Sequence, residues 1–171
     1  MEIKIRQELE EDYEKVYQVV KSAFDKAEHT NGDEQNLVNR LRNSHTFVPQ
    51  LSLVAERNGE IVGHILFTKA KVSGTTQLVL APLSVIPALQ SCGIGGKLIA
   101  EGHRIARELG YEFSVLFGHA HYYPRFGYVP ASLFGIQTDI EVPDENFMAI
   151  NLQGKDTKLN GMLQVADEFG N

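Results

Sequence analysis

The sequence is short of the features that would send a chain to a membrane, a nucleic acid or an oxidising compartment. No apolar run approaches the roughly 18 residues that a membrane-spanning helix needs. The opening MEIKIRQELEEDYEK alternates and then turns acidic, whereas a secretory leader places a basic start before an apolar stretch. Positive charge is in deficit. Sixteen Lys and Arg against 22 Asp and Glu give a net charge of −6, which argues against nucleic acid or anionic lipid while leaving room for a small local basic site. The single cysteine, Cys92, can form no intramolecular disulfide and cannot alone build a thiolate metal cluster, so a reducing, cytoplasmic setting without a metal is expected. No repeat, low-complexity tract or Pro/Gly/Ser-rich linker divides the 171 residues, and residues 1–171 are expected to form one domain.

What is present is an ordinary globular composition, 43% apolar and 22% charged, with clear changes of period. Ile3 and Ile5 alternate with charged residues and predict a strand with one buried face. Tyr13, Val16, Tyr17, Val20 and Phe24 then fall at helical spacing, behind Glu10, Glu11 and Asp12 at the positive end of the dipole. The polar run HTNGD interrupts, and Asp33 is placed to cap a shorter helix burying Leu37, Val38 and Leu41. Asn58-Gly59 between two apolar runs predicts a hairpin. QLVLAPLSVIP reads as a further strand, in which Pro82 cannot donate a ladder hydrogen bond and so requires a bulge or an edge. Ile94, Leu98, Gly102, Ile105, Ala106 and Leu109 predict one side of a helix that Gly110 ends. Phe113 to Phe117 is a compact apolar strand, followed by YYPRFGY and a weaker strand pair around FMAINL and GMLQV. The order β-α-α-β-β-β-α-β-α-β-β implies an α+β domain with one mixed, largely antiparallel sheet and helices on its faces. Residues 78 to 117 are its expected parallel pair, joined by a helical crossover.

The run QSCGIGGKL, residues 90 to 98, is the most suggestive chemically. A Walker A loop ending at Gly96-Lys97 would need glycine where Ser91 stands and a hydroxyl where Leu98 stands. A dinucleotide fingerprint from Gly93 again meets Leu98 where its third glycine belongs. A general anion site remains, because a helix N-terminus offers unpaired N–H groups and glycines permit close approach. Lys97, Arg104 and Arg107 against Glu101 make this stretch locally positive. The bland alternative is a glycine-rich turn before a helix.

Taken with its surroundings, the stretch LAPLSVIPALQSCGIGGKLIAEGHRIARELG followed by YYPRFGY resembles the GNAT superfamily of N-acetyltransferases, and its small bacterial branch in particular. The [Q/R]-x-x-G-x-[G/A] motif reads Gln90, Ser91, Cys92, Gly93, Ile94, Gly95 after Val85-Ile86-Pro87, and the second signature reads Tyr123 to Tyr128. The resemblance is strong over residues 51 to 130 and implies a sheet splayed at a central strand. It also implies acetyl-CoA as co-substrate, with pantetheine along Leu83, Ser84 and Val85 and pyrophosphate on the amides from Ser91 to Lys97, including Gly96. The implied reaction is attack by a primary amine of a small molecule or peptide on the thioester in a ternary complex. Tyr123 would serve as acid or thiolate partner, and a homodimer is common in the superfamily. A non-catalytic acyl-CoA-binding or regulatory module is the alternative.

The base is open. Glu34, at the start of the second helix, is either a base or acceptor contact or a solvated acid favoured by the dipole. His119 and His121 follow the apolar strand where the cleft should open, and histidine titrates near neutrality. A metal site built on that pair has no ligand set of firm spacing behind it. His64 reads as a satisfied core or cleft residue. Cys92 sits at a variable position of the motif, and direct transfer needs no acyl-enzyme.

Overall fold

The computed structural model describes residues 1–25, 27 and 30–170. His29, the first residue of the polar interruption, lies outside them. In chain order the elements are β1 (Lys4–Gln7), α1 (Tyr13–Phe24), α2 (Glu34–Arg42), β2 (Phe47–Arg57), β3 (Glu60–Val72), β4 (Thr75–Val85), α3 (Ile94–Glu108), β5 (Phe113–Phe117), β6 (Val129–Pro130), β7 (Ile136–Gln137), β8 (Phe147–Asn151) and β9 (Gly161–Gln164). Between β5 and β8 the expected helix is replaced by short 3₁₀ turns, the first over Tyr123–Phe126. Pro124 lacks a backbone donor and Gly127 at φ 100° turns the chain left-handed, so no longer helix propagates.

The strands form one sheet in the order β1-β2-β3-β4-β5-β8-β6, with β9 added to β3 and β7 to β9. Only β4–β5 and β7–β9 are parallel among the described residues. The hairpin at Asn58-Gly59 forms, both residues lying at positive φ (52° and 80°). FMAINL and GMLQV are strands, but not partners: β8 pairs with β5 and β6, and β9 with β3 and β7. A strand's partner is set by long-range packing that its own alternation does not encode.

Neighbouring strand residues point to opposite faces, and the two faces carry different helices. Leu53, Ala55, Ile65, Phe67 and Leu80 pack with Ile94, Leu98, Ile99 and Ala106 of α3. Val54 and Leu66 pack with Val16 and Val20 of α1 and Val38 and Leu41 of α2. Each fully buried Val, Leu, Ile or Phe among them is worth roughly 1.5–3 kcal/mol. Three expectations for the helices need correction. Leu109 is 44% exposed, because it falls past the last helical residue where Gly110 has turned the chain. Val19, not Tyr13, completes the buried face of α1. Asp33 occupies the N-cap position of α2, but its carboxylate accepts from Asn36 Nδ2 and pairs with Arg40 instead of bonding a helix N–H.

The feature that creates a site is the divergence of β4 from β5. Their ladder consists of Leu78↔Ser114 and Val79↔Val115, after which both strands continue without pairing. The irregularity demanded by Pro82 lies at the opening: Leu80 faces Phe67 and Leu83 faces Ile65, so Ala81 and Pro82 together oppose Leu66 as a bulge.

Candidate active site

The divergence opens a cavity of about 1200 Å³. On β4, Leu83 and Val85 line it, while Ser84 between them turns to the α1–α2 face and is buried without a hydrogen-bond partner. The edge of β4 beyond Val79 therefore offers backbone donors and acceptors to anything extended in the cleft. Gln90 also faces the cavity, and its Nε2 donates to the Val85 carbonyl at 3.0 Å, which ties the glycine loop to the strand end.

Gly93 begins α3 at φ 85°, and the first helical bond runs from Lys97 N to Gly93 O. The N–H groups of Ile94, Gly95 and Gly96 thus have no acceptor inside the helix. Ser91, Gly93, Ile94, Gly95 and Gly96 line the cavity; Cys92 and Lys97 are exposed and do not. The expected local basicity sits elsewhere. Arg104 is bridged by Glu101 and Glu108, and Arg107 donates to the Leu152 carbonyl. The cation that does face the cavity is Arg125, which stacks over the Tyr122 ring at 4.7 Å.

The two sequence motifs touch. A Cβ at Gly95 would collide with the Tyr122 hydroxyl, and one at Gly96 would lie 2.9 Å from the Phe126 ring. These positions stay small for an aromatic clamp as well as for an anion. Tyr123 stands edge-on to Tyr122 and Tyr128, with ring centroids 5.0 and 5.8 Å away. Burial, with the neighbouring Tyr122 acting in the same direction, pushes its phenol well above the ordinary range, so it holds its proton at neutral pH. Behind it Tyr128 is fully buried, 2.8 Å from Ser114 Oγ and 3.0 Å from His103 Nε2.

The opposite wall comes from α1, α2 and the segment after β5. Glu34 and His119 line the same cavity as Tyr123, whereas His121 does not. Both carboxylate oxygens of Glu34 lie 2.7 Å from Thr30 Oγ1, which holds the side chain in place. Phe24, Leu37, Phe117, Val142 and Asn146 complete this wall. Sequence reading overlooked them as site residues. Phe117 carried a usable signal, as the last residue of the strand that opens the cleft, and Phe126 lay inside the recognised motif. Val142 and Asn146 carried none.

His64 is buried on the α1–α2 face within an ionic network. Glu8 Oε1 accepts from Ser52 Oγ (2.9 Å) and Arg42 Nε (3.1 Å), and Glu8 Oε2 accepts from Arg42 Nη2 (2.5 Å). Since Ser52 Oγ gives its proton to Glu8, His64 Nε2–H donates to Ser52 at 3.0 Å and Nδ1 is left without a partner. Desolvation lowers the His64 pKa to about 4, with Glu8 opposing and Arg42 assisting, so the ring is neutral. Among the described residues, no group of three or more His, Cys, Asp or Glu side chains is placed to hold a metal ion, and no helix is long and apolar enough to cross a membrane.

Comparison with known proteins agrees with this geometry. The model of the acetyltransferase (GNAT) family matches residues 5–128. The uncharacterized N-acetyltransferase YjhQ of Escherichia coli K12 is 38% identical, over 78% of each chain. A GNAT family acetyltransferase from Brucella melitensis, solved in complex with acetyl-CoA, superposes with a TM-score of 0.82 at 31% identity over 99% of both chains. YhbS from Escherichia coli, solved with CoA, shares the fold with a TM-score of 0.87 at 24% identity, over 99% of this chain and 92% of its own.

Proposed function

The chain belongs to the GNAT acetyltransferase family, and on that premise we propose that it moves an acetyl group from acetyl-CoA to a primary amine by direct attack in a ternary complex. The observation that carries this reading is the convergence on one cavity of the free edge of β4, the unpaired amides at the start of α3, and the buried phenol of Tyr123.

Acetyl-CoA supplies the activated thioester. The amides of Ile94, Gly95 and Gly96 and the α3 dipole suit its pyrophosphate, since they need no metal and no basic side chain. The β4 edge at Leu83 and Val85 suits the pantetheine amides, and a backbone N–H near Val85 is available to polarise the thioester carbonyl. An ammonium has no lone pair, so the acceptor must first lose a proton. Glu34 or His119, directly or through water, is the route for it. The amine nitrogen then bonds to the carbonyl carbon as the carbon–sulfur bond breaks. Tyr123 donates a hydrogen bond, and finally its proton, to the departing sulfur, and the proton that the nitrogen sheds as the amide forms returns through water to restore the phenol. Burial raises the phenol pKa but also disfavours a naked thiolate, so the donor and the group it serves are destabilised as anions together.

Tyr123→Phe tests the assignment. We expect turnover with acetyl-CoA and an amine to fall by about 10²–10⁴, while CoA affinity measured by calorimetry stays within roughly threefold. Unchanged turnover would remove Tyr123 from the mechanism. Intact CoA binding without turnover of any amine by the parent protein would favour a non-catalytic acyl-CoA-binding module.

A further inference from the structure

Resting on that reading of the site, we propose that the acceptor is a primary monoamine carried on an aromatic or branched apolar skeleton. Four apolar side chains line the wall facing the β4 edge: Phe24 from α1, Leu37 from α2, Phe117 from the end of β5 and Val142 before β8. Phe117 is 38% exposed, yet it is stacked on Phe147 at 4.8 Å with an interplanar angle of 22°, which gives a fixed aromatic face open to the cavity. Apolar lining with a few fixed polar groups is how a site selects a small molecule by its skeleton.

Among the described residues, the polar side chains on this wall are Glu34, His119 and Asn146. Asn146 donates its Nδ2–H to the Gly118 carbonyl at 3.0 Å, and its own carbonyl accepts the Gly118 N–H at 2.9 Å. The second of these bonds is made by the Asn146 main chain, so the residue clamps the turn after β5 and leaves its Oδ1 and one Nδ2–H for a single polar group of the acceptor. Glu34 is the one acid among the described lining residues and Arg125 the one guanidinium. Thr30 takes up one hydrogen bond's worth of the Glu34 carboxylate, whose remaining lone pairs suit one ammonium. A diamine or polyamine would carry its second charge into apolar surface or toward Arg125, leaving a desolvated cation unpaired. The skeleton of an arylalkylamine would instead cover Leu37 and Phe117 while its nitrogen meets Glu34.

The test uses the full chain with acetyl-CoA, reading kcat/KM by thiol release with phenethylamine, putrescine and a lysine-containing peptide. A preference for phenethylamine on the order of tenfold or more is expected. Preference for putrescine or the peptide overturns the acceptor class while leaving acetyl transfer intact. If no amine turns over, the transfer reading fails, and titration of each amine into the CoA-saturated protein decides the class separately. Phenethylamine binding more tightly than putrescine upholds it; equal or weaker binding overturns it. Leu37→Glu adds a second carboxylate one turn from Glu34 and should reduce the phenethylamine-to-putrescine ratio by about tenfold or more. Phe117→Ala, at a partly exposed position that does not endanger the fold, should reduce the same ratio in the same direction. A ratio unchanged in both variants overturns the proposal.

Discussion

On the α3 face the groups that meet the cavity are backbone amides, glycines and an aromatic clamp, whereas on the α1–α2 face they are side chains on helices whose far end is anchored by a buried ionic network. Ile94, Gly95 and Gly96 act through main-chain N–H groups, and Tyr122 and Phe126 close over them. Opposite, Glu34 and Leu37 sit at the start of α2, whose last residue, Arg42, is locked to Glu8 with 5% and 1% of the two side chains exposed. Backbone recognition fixes a ligand through spacing and small residues, so it leaves a motif. Side-chain recognition leaves the choice of residue free within each skeleton's needs, and it leaves none.

The sharpest way to break that comparison is to damage each face in its own currency. Gly95→Glu puts bulk against Tyr122 and a negative charge where the amides point. Like charge in a desolvated site costs several kcal/mol, so CoA affinity should fall by more than about 100-fold. An acid in the first turn suits the helix dipole, but Tyr122 must move to admit the new side chain. Thermal unfolding is therefore measured alongside to confirm that the variant is folded at the temperature of the titration. Normal CoA binding by calorimetry would show that the loop is not the cradle. Arg42→Ala should do the opposite. It leaves the Glu8 carboxylate buried beside Ser52 and His64 without its cation and removes the stack of the guanidinium over Tyr13, whose centroid is 4.0 Å away. A stability loss of about 3–5 kcal/mol in urea titration is expected, with CoA affinity of the folded protein within severalfold of the parent. A loss under about 1 kcal/mol would mean that the network contributes little.

The same contrast explains what the sequence made legible. Alternation and Asn58-Gly59 located the β2–β3 hairpin because turn chemistry is local, and Pro82 announced the bulge because a missing donor admits few solutions. Motif spacing brought Leu83, Val85, the glycine loop and Tyr123 to one place. By contrast, Glu8 and Arg42 lie 34 residues apart, and nothing in either neighbourhood indicates that each needs the other. Arg104 and Arg107 looked like cofactor charges only because pairing with Glu101 and Glu108, or with the Leu152 carbonyl, depends on the fold. Val142 and Asn146 reach the cavity through turns whose path no period encodes.

A pH-dependent effect, smaller for each residue taken through part of its window, tests whether the two faces are independent in acid. Each carries one buried neutral histidine: His64 beside Ser52, and His103 beside Tyr128. Desolvation holds both pKa values at about 4, with Arg107 adding to the effect at His103. In the unfolded chain both titrate near 6.5. Between those values the unfolded state binds more protons, so stability falls as pH is lowered from about 6.5 to about 4, and the two histidines add no further slope below that. Each should contribute about 1.4 kcal/mol per pH unit through the middle of the window, or roughly 3 kcal/mol in all. Urea titrations at pH 7, 5.5 and 4.5 should show this loss, and His64→Gln and His103→Gln should each remove about half of the slope. The double variant should remove the slope contributed by both if the faces titrate separately, since the two rings share no partner. A single variant that abolishes the whole slope would show instead that protonation on one face unlocks the other.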